Sequence, residues 1–176
     1  MAFLVVAPVL TLGLWGEKVP VGGGLGWDGQ VYGAMALDFR GTVLEAPITA
    51  YRVQRVLPSA LVYAGLRGTG ATRDVETVIR GFVVLNTVLL VGCVMLWTSI
   101  ARALGIGPRG EWLGFVALFV NWAVLKQGTY YPVLTDISAF TLGLVGLHAY
   151  LVRGRATLFG AAAHRRLQSA FFRPES

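Results

Sequence analysis

The chain has 176 residues, of which 55% are hydrophobic and only 14% are charged, and its formal net charge is +6. Soluble domains carry about 25% charged residues, so this composition argues against an ordinary soluble globule and favours a membrane protein. The Lys and Arg residues are dispersed beside apolar segments, which argues against nucleic-acid binding. Cys93 is the only cysteine, so an intramolecular disulfide is excluded and we expect a packing role for it.

Apolar segments at residues 2–16, 81–100, 112–126 and 132–152 predict an all-α polytopic protein with about four transmembrane helices in a single membrane domain. A bilayer core of about 30 Å needs roughly 20 apolar helical residues. The first segment is short, but it lacks the basic start and the cleavage site of a signal peptide, so we expect it to span the membrane. Asn121 is expected to hydrogen-bond between helices, and His148 to be a packed residue rather than a metal ligand.

The distribution of arginines predicts the orientation of these segments. Arg102 and Arg109 lie in the short loop between the second and third segments, and further arginines lie in residues 153–176. Arginine-rich short loops and tails stay in the cytoplasm. We therefore expect both termini to be cytoplasmic in a bacterial cytoplasmic membrane, with residues 17–80 forming a long outward loop.

The outward loop is predicted to contain short helices at the membrane surface. Residues 17–26, EKVPVGGGLG, are interpreted as a flexible connector. Its glycines, at 22–24 and 26, are not interpreted as a phosphate cradle, because no strand precedes them. A short helix is predicted over residues 31–37, with Asp28 near its N-terminus. Residues 51–66 combine arginines with apolar residues, as in a helix that lies along the interface. Thr72 or Asp74 is expected to cap the next helix.

Two aspartates are the candidate catalytic residues. Asp28, in the sequence Trp-Asp-Gly-Gln, is either a helix cap or a carboxylate that serves as a general base or metal ligand outside the membrane. Asp136 lies about one turn into the fourth segment, where an ionisable residue is costly unless it faces protein or water. Its alternative role is a favourable interaction with the helix N-terminus. The predicted topology places both aspartates on the outward side.

Six further residues of the loop are candidate substrate contacts: Trp27, Gln30, Tyr32, Asp38, Arg52 and Arg55. Trp27 and Tyr32 would stack on a sugar ring or anchor the interface. Arg52 and Arg55 share a helix face and would bind a phosphate group or attract anionic lipid headgroups. Asp38 is either part of the site or a solvated residue that ends the short helix. No metal-binding motif is present in the sequence.

The stretches GWDGQVYGAMALD (26–38), YRVQRVLPSAL (51–61) and PVLTDISAF (132–140) resemble the N-terminal half of the polytopic GT-C-type membrane glycosyltransferases and related bacterial membrane proteins. The resemblance covers about residues 26–151. It implies transfer of a sugar from a polyprenyl-phosphate donor to an acceptor on the outer face. Asp28 would match the first-loop acid of the family, and Arg52 and Arg55 would contact phosphate. A divalent cation would be the cofactor if this hypothesis holds.

A second hypothesis is a non-catalytic accessory subunit of a larger membrane complex. GT-C enzymes have more than four spans, and their later helices help to enclose the donor lipid. In the accessory hypothesis the outward loop is a docking surface, for which its aromatic and arginine residues are sufficient. The expected partners are the lipid bilayer, a lipid-linked sugar and other membrane protein subunits.

Overall fold

The structure, a computed structural model, describes residues 1–45, 49–53 and 55–153. Residues 154–176, most of the predicted cytoplasmic tail, lie outside the described residues. The described ranges contain helices and no strand, which confirms the all-α prediction. The helices are α1 (Ala2–Trp15), α2 (Trp27–Leu37), α3 (Ala50–Val53), α4 (Val56–Thr69), α5 (Val75–Ala103), α6 (Pro108–Phe119), α7 (Gly128–Tyr130) and α8 (Asp136–Arg153). Single turns of 3₁₀ or π geometry lie at Val21–Gly24, Arg40–Leu44 and Ala123–Gln127.

Helix α5 is the longest element, and α1, α4 and α8 all pack along it. Its 29 residues rise about 43 Å, more than the thickness of a bilayer core. It extends beyond the predicted span 81–100 at both ends, so that its charged residues lie in the terminal turns. Among the described residues it is the one helix both long and apolar enough to cross a membrane. The prediction of four spans therefore stays a prediction.

The third predicted span, residues 112–126, is interrupted. Helix α6 ends at Phe119, and the chain continues through a break into the π turn Ala123–Gln127. The Asn121 amide donates to the carbonyls of Ala117 and Leu118, and its Oδ1 accepts a hydrogen bond from the Val124 N–H. The prediction that Asn121 bonds between helices is therefore wrong. Its side chain instead satisfies backbone groups that the break leaves without helical partners.

Two apolar clusters hold the helices together on α5. One joins α1, α5, α6 and α8 and includes Val9, Leu90 and Phe119. The other joins α2, α4 and α5 and includes Tyr32 and Phe82. Burial of such side chains stabilises the packing of helices in water, whereas close van der Waals contact does so in lipid.

Polar side chains also connect α5 with α8. Cys93 donates from Sγ to Thr141 Oγ1 over 3.2 Å, and Ser99 Oγ lies 2.9 Å from His148 Nε2. These bonds give Cys93 and His148 the packing roles expected of them. In apolar surroundings a hydrogen-bonding group is costly unless it is paired, so the bonds also favour one register of α8 on α5.

The end of the bundle that carries α2 also carries the C-terminus of α1 and the N-termini of α5 and α8. The Val19 N–H, just after α1, donates to the Tyr130 carbonyl over 3.3 Å. A Cβ built on Gly26, before α2, would lie 2.5 Å from the Tyr131 ring. Asp28 and Asp136 therefore lie at the same end of the molecule, as the sequence predicts.

The N-terminus of α5 is capped by Asp74, one of the two predicted caps. The Thr77 N–H donates to Asp74 Oδ1 over 2.8 Å. This bond, with additional hydrogen bonds from the Thr72 and Thr77 hydroxyls, holds the pKa of Asp74 below its ordinary value of 3.8. The charged carboxylate is thus the form that stabilises the helix terminus.

We expect Asp74→Ala to lower the melting temperature at neutral pH, measured by circular dichroism in detergent. Because the folded pKa is lowered, the stabilisation is present above the ordinary pKa of 3.8 and is lost as pH falls through the folded value. The difference between wild type and variant should therefore shrink in strong acid. Asp74→Asn is the control, since it keeps an acceptor at every pH. An equal deficit for Asp74→Ala at neutral and strongly acid pH would contradict this account.

Candidate functional site

The segment between α7 and α8, residues 131–135, is anchored to α5 by a buried side chain. Asn86 donates from Nδ2 to the Pro132 carbonyl over 2.7 Å, and Asn86, Pro132 and Val133 are all buried. Helix α8 consequently begins at Asp136 rather than at Pro132, where the predicted span begins. The anchored backbone leaves Tyr131 and Leu134 partly exposed and Asp136 exposed.

Three open grooves meet around this segment. The first, of about 300 Å³, is lined by Trp27, Asp28, Tyr131 and Leu134. The second, of about 250 Å³, runs between the break after α6 and the start of α8, and again includes Tyr131 and Leu134, together with Asp136. The third, of about 280 Å³, contains Asp136 and the side chain of Arg55.

Shared lining residues make these grooves one continuous surface. Tyr131 and Leu134 border the first and second grooves, and Asp136 borders the second and third. We call this area, which is defined by Asp28, Arg55, Tyr131, Leu134 and Asp136, the outer-end surface, after the side of the membrane on which the sequence predicts these aspartates to lie. It brings together two carboxylates, a guanidinium and a phenol from positions more than a hundred residues apart in the sequence.

Both carboxylates of the outer-end surface lie in the first turn of a helix and are exposed to solvent. Asp28 is in the first turn of α2, and Asp136 is in the first turn of α8. Both carboxylates are therefore accessible to the hydroxyl of a ligand bound at this surface.

No three His, Cys, Asp or Glu side chains lie together within the described ranges. A divalent cation here would depend on one or two carboxylates plus oxygens from a bound phosphate, an arrangement that Mg²⁺ tolerates. The candidate acids fit that donor set, but they do not form a protein cage for a metal.

The aromatic residues of the site differ from those predicted. Trp27 is 68% exposed and borders the groove of Asp28, so its ring is available to a ligand. Tyr32 is 1% exposed and belongs to the cluster of α2, α4 and α5, where a sugar ring would have no access. Tyr131, and not Tyr32, lines the groove of Asp28. The pair of tyrosines before Pro132 was the signal for it, but only the structure shows that the Tyr131 ring lies against Gly26 and lines the groove of Asp28.

Four predicted substrate contacts lie away from the outer-end surface. The first is the buried Tyr32. The second is Asp38, whose N–H closes α2 by donating to the Ala34 carbonyl and whose Oδ1 accepts a hydrogen bond from the Gly41 N–H over 3.1 Å in the turn that follows. Arg52 is exposed on α3 but lines none of the three grooves, unlike Arg55 one turn later. Gln30 packs toward the turn Val21–Gly24, which we call the glycine turn. A Cβ on Gly22 would lie 2.7 Å from the Cγ of Gln30.

No protein-family model, curated protein or solved structure matches this chain. The candidate site therefore stands on its geometry, and nothing in the comparisons identifies a GT-C family.

We expect Asn86→Leu to destabilise the fold by about 1–2 kcal/mol, because the buried Pro132 carbonyl loses its donor. The measurement is chemical denaturation in detergent, combined with maleimide labelling of a cysteine placed at residue 134, which should become faster as the segment loosens. Thr87→Val is the matched control, since Thr87 bonds only to the Val83 carbonyl of its own helix. Unchanged labelling in Asn86→Leu would show that the side chain does not hold this segment.

Proposed function

We propose that the chain is an integral protein of the bacterial cytoplasmic membrane, with α1, α5, the broken α6 segment and α8 as its four spans and with both termini cytoplasmic. Many large apolar side chains on these helices are exposed on the surface of the bundle, for example Leu4, Val88, Leu113 and Leu142. Large apolar side chains exposed in this number are unfavourable in water and suit contact with lipid. Between Arg80 and Arg102, α5 carries no charged residue.

This topology predicts that a cysteine at residue 28 reacts with a membrane-impermeant maleimide added to intact cells. Arg109→Cys, in the loop between α5 and α6, should react only after permeabilisation. The native Cys93 is buried and gives little background. The reverse pattern of labelling would overturn the proposed orientation.

We propose that the outer-end surface transfers a sugar from a polyprenyl-phosphate donor to a hydroxyl acceptor, as in GT-C-type enzymes. The observation that supports this proposal most is the convergence of Asp28, Asp136 and Arg55 around the anchored segment 131–135. The exposed apolar walls beside these charges suit a lipid-linked substrate.

In the proposed reaction, Asp28 accepts the proton of the acceptor hydroxyl as its oxygen attacks the anomeric carbon. The bond from that carbon to the phosphate oxygen breaks, and the polyprenyl phosphate leaves with the bonding electrons. In this proposal Arg55 stabilises the phosphate, and the exposed Trp27 ring stacks on the sugar. Asp136 would orient the acceptor or share a cation with the donor phosphate.

The alternative function is that of a non-catalytic subunit. It is favoured by a nearly wholly apolar groove of about 470 Å³ on α6, formed by Pro108, Arg109, Trp112, Leu113 and Val116. Trp112 and Leu113 are exposed, as in a surface that receives a neighbouring transmembrane helix. The three grooves of the outer-end surface are open, so another subunit would be needed to enclose a donor lipid.

We expect Asp28→Asn to slow sugar transfer by roughly 100-fold or more, since the general base is lost. The assay measures release of polyprenyl phosphate from a labelled polyprenyl-phosphate sugar by the protein in lipid nanodiscs. Asp38→Asn makes the same change of charge away from the outer-end surface and should retain full activity.

Full activity of Asp28→Asn would contradict the hypothesis that Asp28 is the general base. No transfer by the wild-type protein, together with stoichiometric co-purification of larger membrane proteins, would support the accessory function instead.

A further inference from the structure

A further cavity, separate from the grooves described above, lies where α1 ends and α5 begins. Its volume is about 570 Å³, larger than any of the three grooves described above. None of its lining residues belongs to the outer-end surface. The walls come from the end of α1, the residues after it, the glycine turn and the first turns of α5, with Leu14, Lys18, Gly22, Gly23, Glu76 and Arg80 among them.

Two cations from different elements line this cavity. Lys18, after α1, donates from Nζ to the carbonyls of Leu12 and Gly16 over 3.1 and 3.0 Å, which stabilises the exposed C-terminus of α1. An ammonium group has three donors, so one remains beyond these two bonds. Partial burial lowers the pKa of Lys18, because it removes water from around the charged ammonium group, and a nearby anion would offset that loss of solvation.

Arg80 is the second cation, and it forms an ion pair with Glu76 one turn earlier on α5. Both side chains of this pair are largely exposed, so the attraction is weakened by solvent. A guanidinium has five N–H donors and can bind an anion while it keeps this contact. With Lys18, Arg80 and Glu76 together, the cavity lining carries a net charge of +1.

The glycine turn forms the third wall of the cavity. Gly22 and Gly23 have φ values of 63° and 64°, in the left-handed region that favours glycine. The turn is closed by a hydrogen bond from the Gly26 N–H to the Val21 carbonyl over 2.8 Å, and the Gln30 side chain packs against Gly22. Gly22 and Gly23, which the sequence predicts to belong to a flexible connector and not to a phosphate cradle, therefore form a defined wall without side chains that would fill the space. The charged donors of the cavity are Lys18 and Arg80, not the glycines.

We propose that this cavity binds a phosphate group, carried by a phospholipid headgroup or free in solution. A net lining charge of +1 complements a phosphodiester, and Lys18 and Arg80 supply charge-assisted donors from two sides. Leu14, Val75 and Ile79 add apolar wall beside them, at the end of the spans where headgroups would lie. Binding here needs no catalysis at the outer-end surface, so each proposal can fail without the other.

The test uses the full chain purified in a neutral detergent. Native mass spectrometry measures binding of phosphatidylglycerol, and calorimetry measures binding of inorganic phosphate. We expect one bound anion per chain, about tenfold weaker binding in the double variant Lys18→Gln, Arg80→Gln, and tighter binding in Glu76→Gln. Arg67→Gln, which removes an exposed arginine outside the cavity, is the matched control and should bind like the wild type.

Binding of phosphatidylglycerol alone would identify a headgroup site, and binding of both ligands would identify a general phosphate site. Lys18→Arg keeps the charge and should bind within a few-fold of wild type, which separates loss of binding from loss of folding. The proposal is overturned if the wild type binds neither ligand, if Glu76→Gln does not tighten binding, or if Arg67→Gln weakens it as much as the double variant does.

Discussion

The structure depends on α5 as the common packing surface of the other helices. An apolar helix of this length offers neighbours van der Waals contacts along its whole face, but it also carries polar side chains that need partners. Asn86, Cys93 and Ser99 each find one on α8 or on the segment before it. These directional bonds select one register from the many that apolar packing alone would allow. The same register sets where α8 begins and thus where Asp136 lies.

The candidate site is a consequence of that register. Asn86 holds the backbone at Pro132, and the buried Val133 side chain packs beside α2. Asp28 on α2 and Asp136 on α8 therefore share a border formed by Tyr131 and Leu134. A rigid segment of this kind places functional groups more precisely than a solvated loop does. The sugar-transfer proposal uses this convergence, whereas the phosphate cavity uses a different junction, between α1 and α5.

The candidate site was only partly predictable from the sequence, because helix periodicity does not show which face is covered. Trp27 and Tyr32 looked equivalent as aromatic candidates, yet packing of α2 on α4 and α5 buries Tyr32. Arg52 and Arg55 looked equivalent as phosphate contacts, yet of these two only Arg55 lines a groove together with Asp136. Asn121 and Asn86 are both amides in apolar segments. Asn86 faces another segment, whereas Asn121 lies at a helix break and bonds to its own backbone.

The sequence by itself determined the helical class, the position of the long apolar helix and the short helix near Asp28, and it narrowed the cap of the long helix to Thr72 or Asp74. These follow from local properties: hydropathy, helix capping and the lengths of uncharged runs. The tertiary structure alone decided which side chains share a groove, which aromatic residues stay exposed and how Gly22 and Gly23 border a cavity with Lys18 and Arg80. Those features are contacts between residues distant in the chain, and such contacts depend on how helices pack and not on the properties of any one segment.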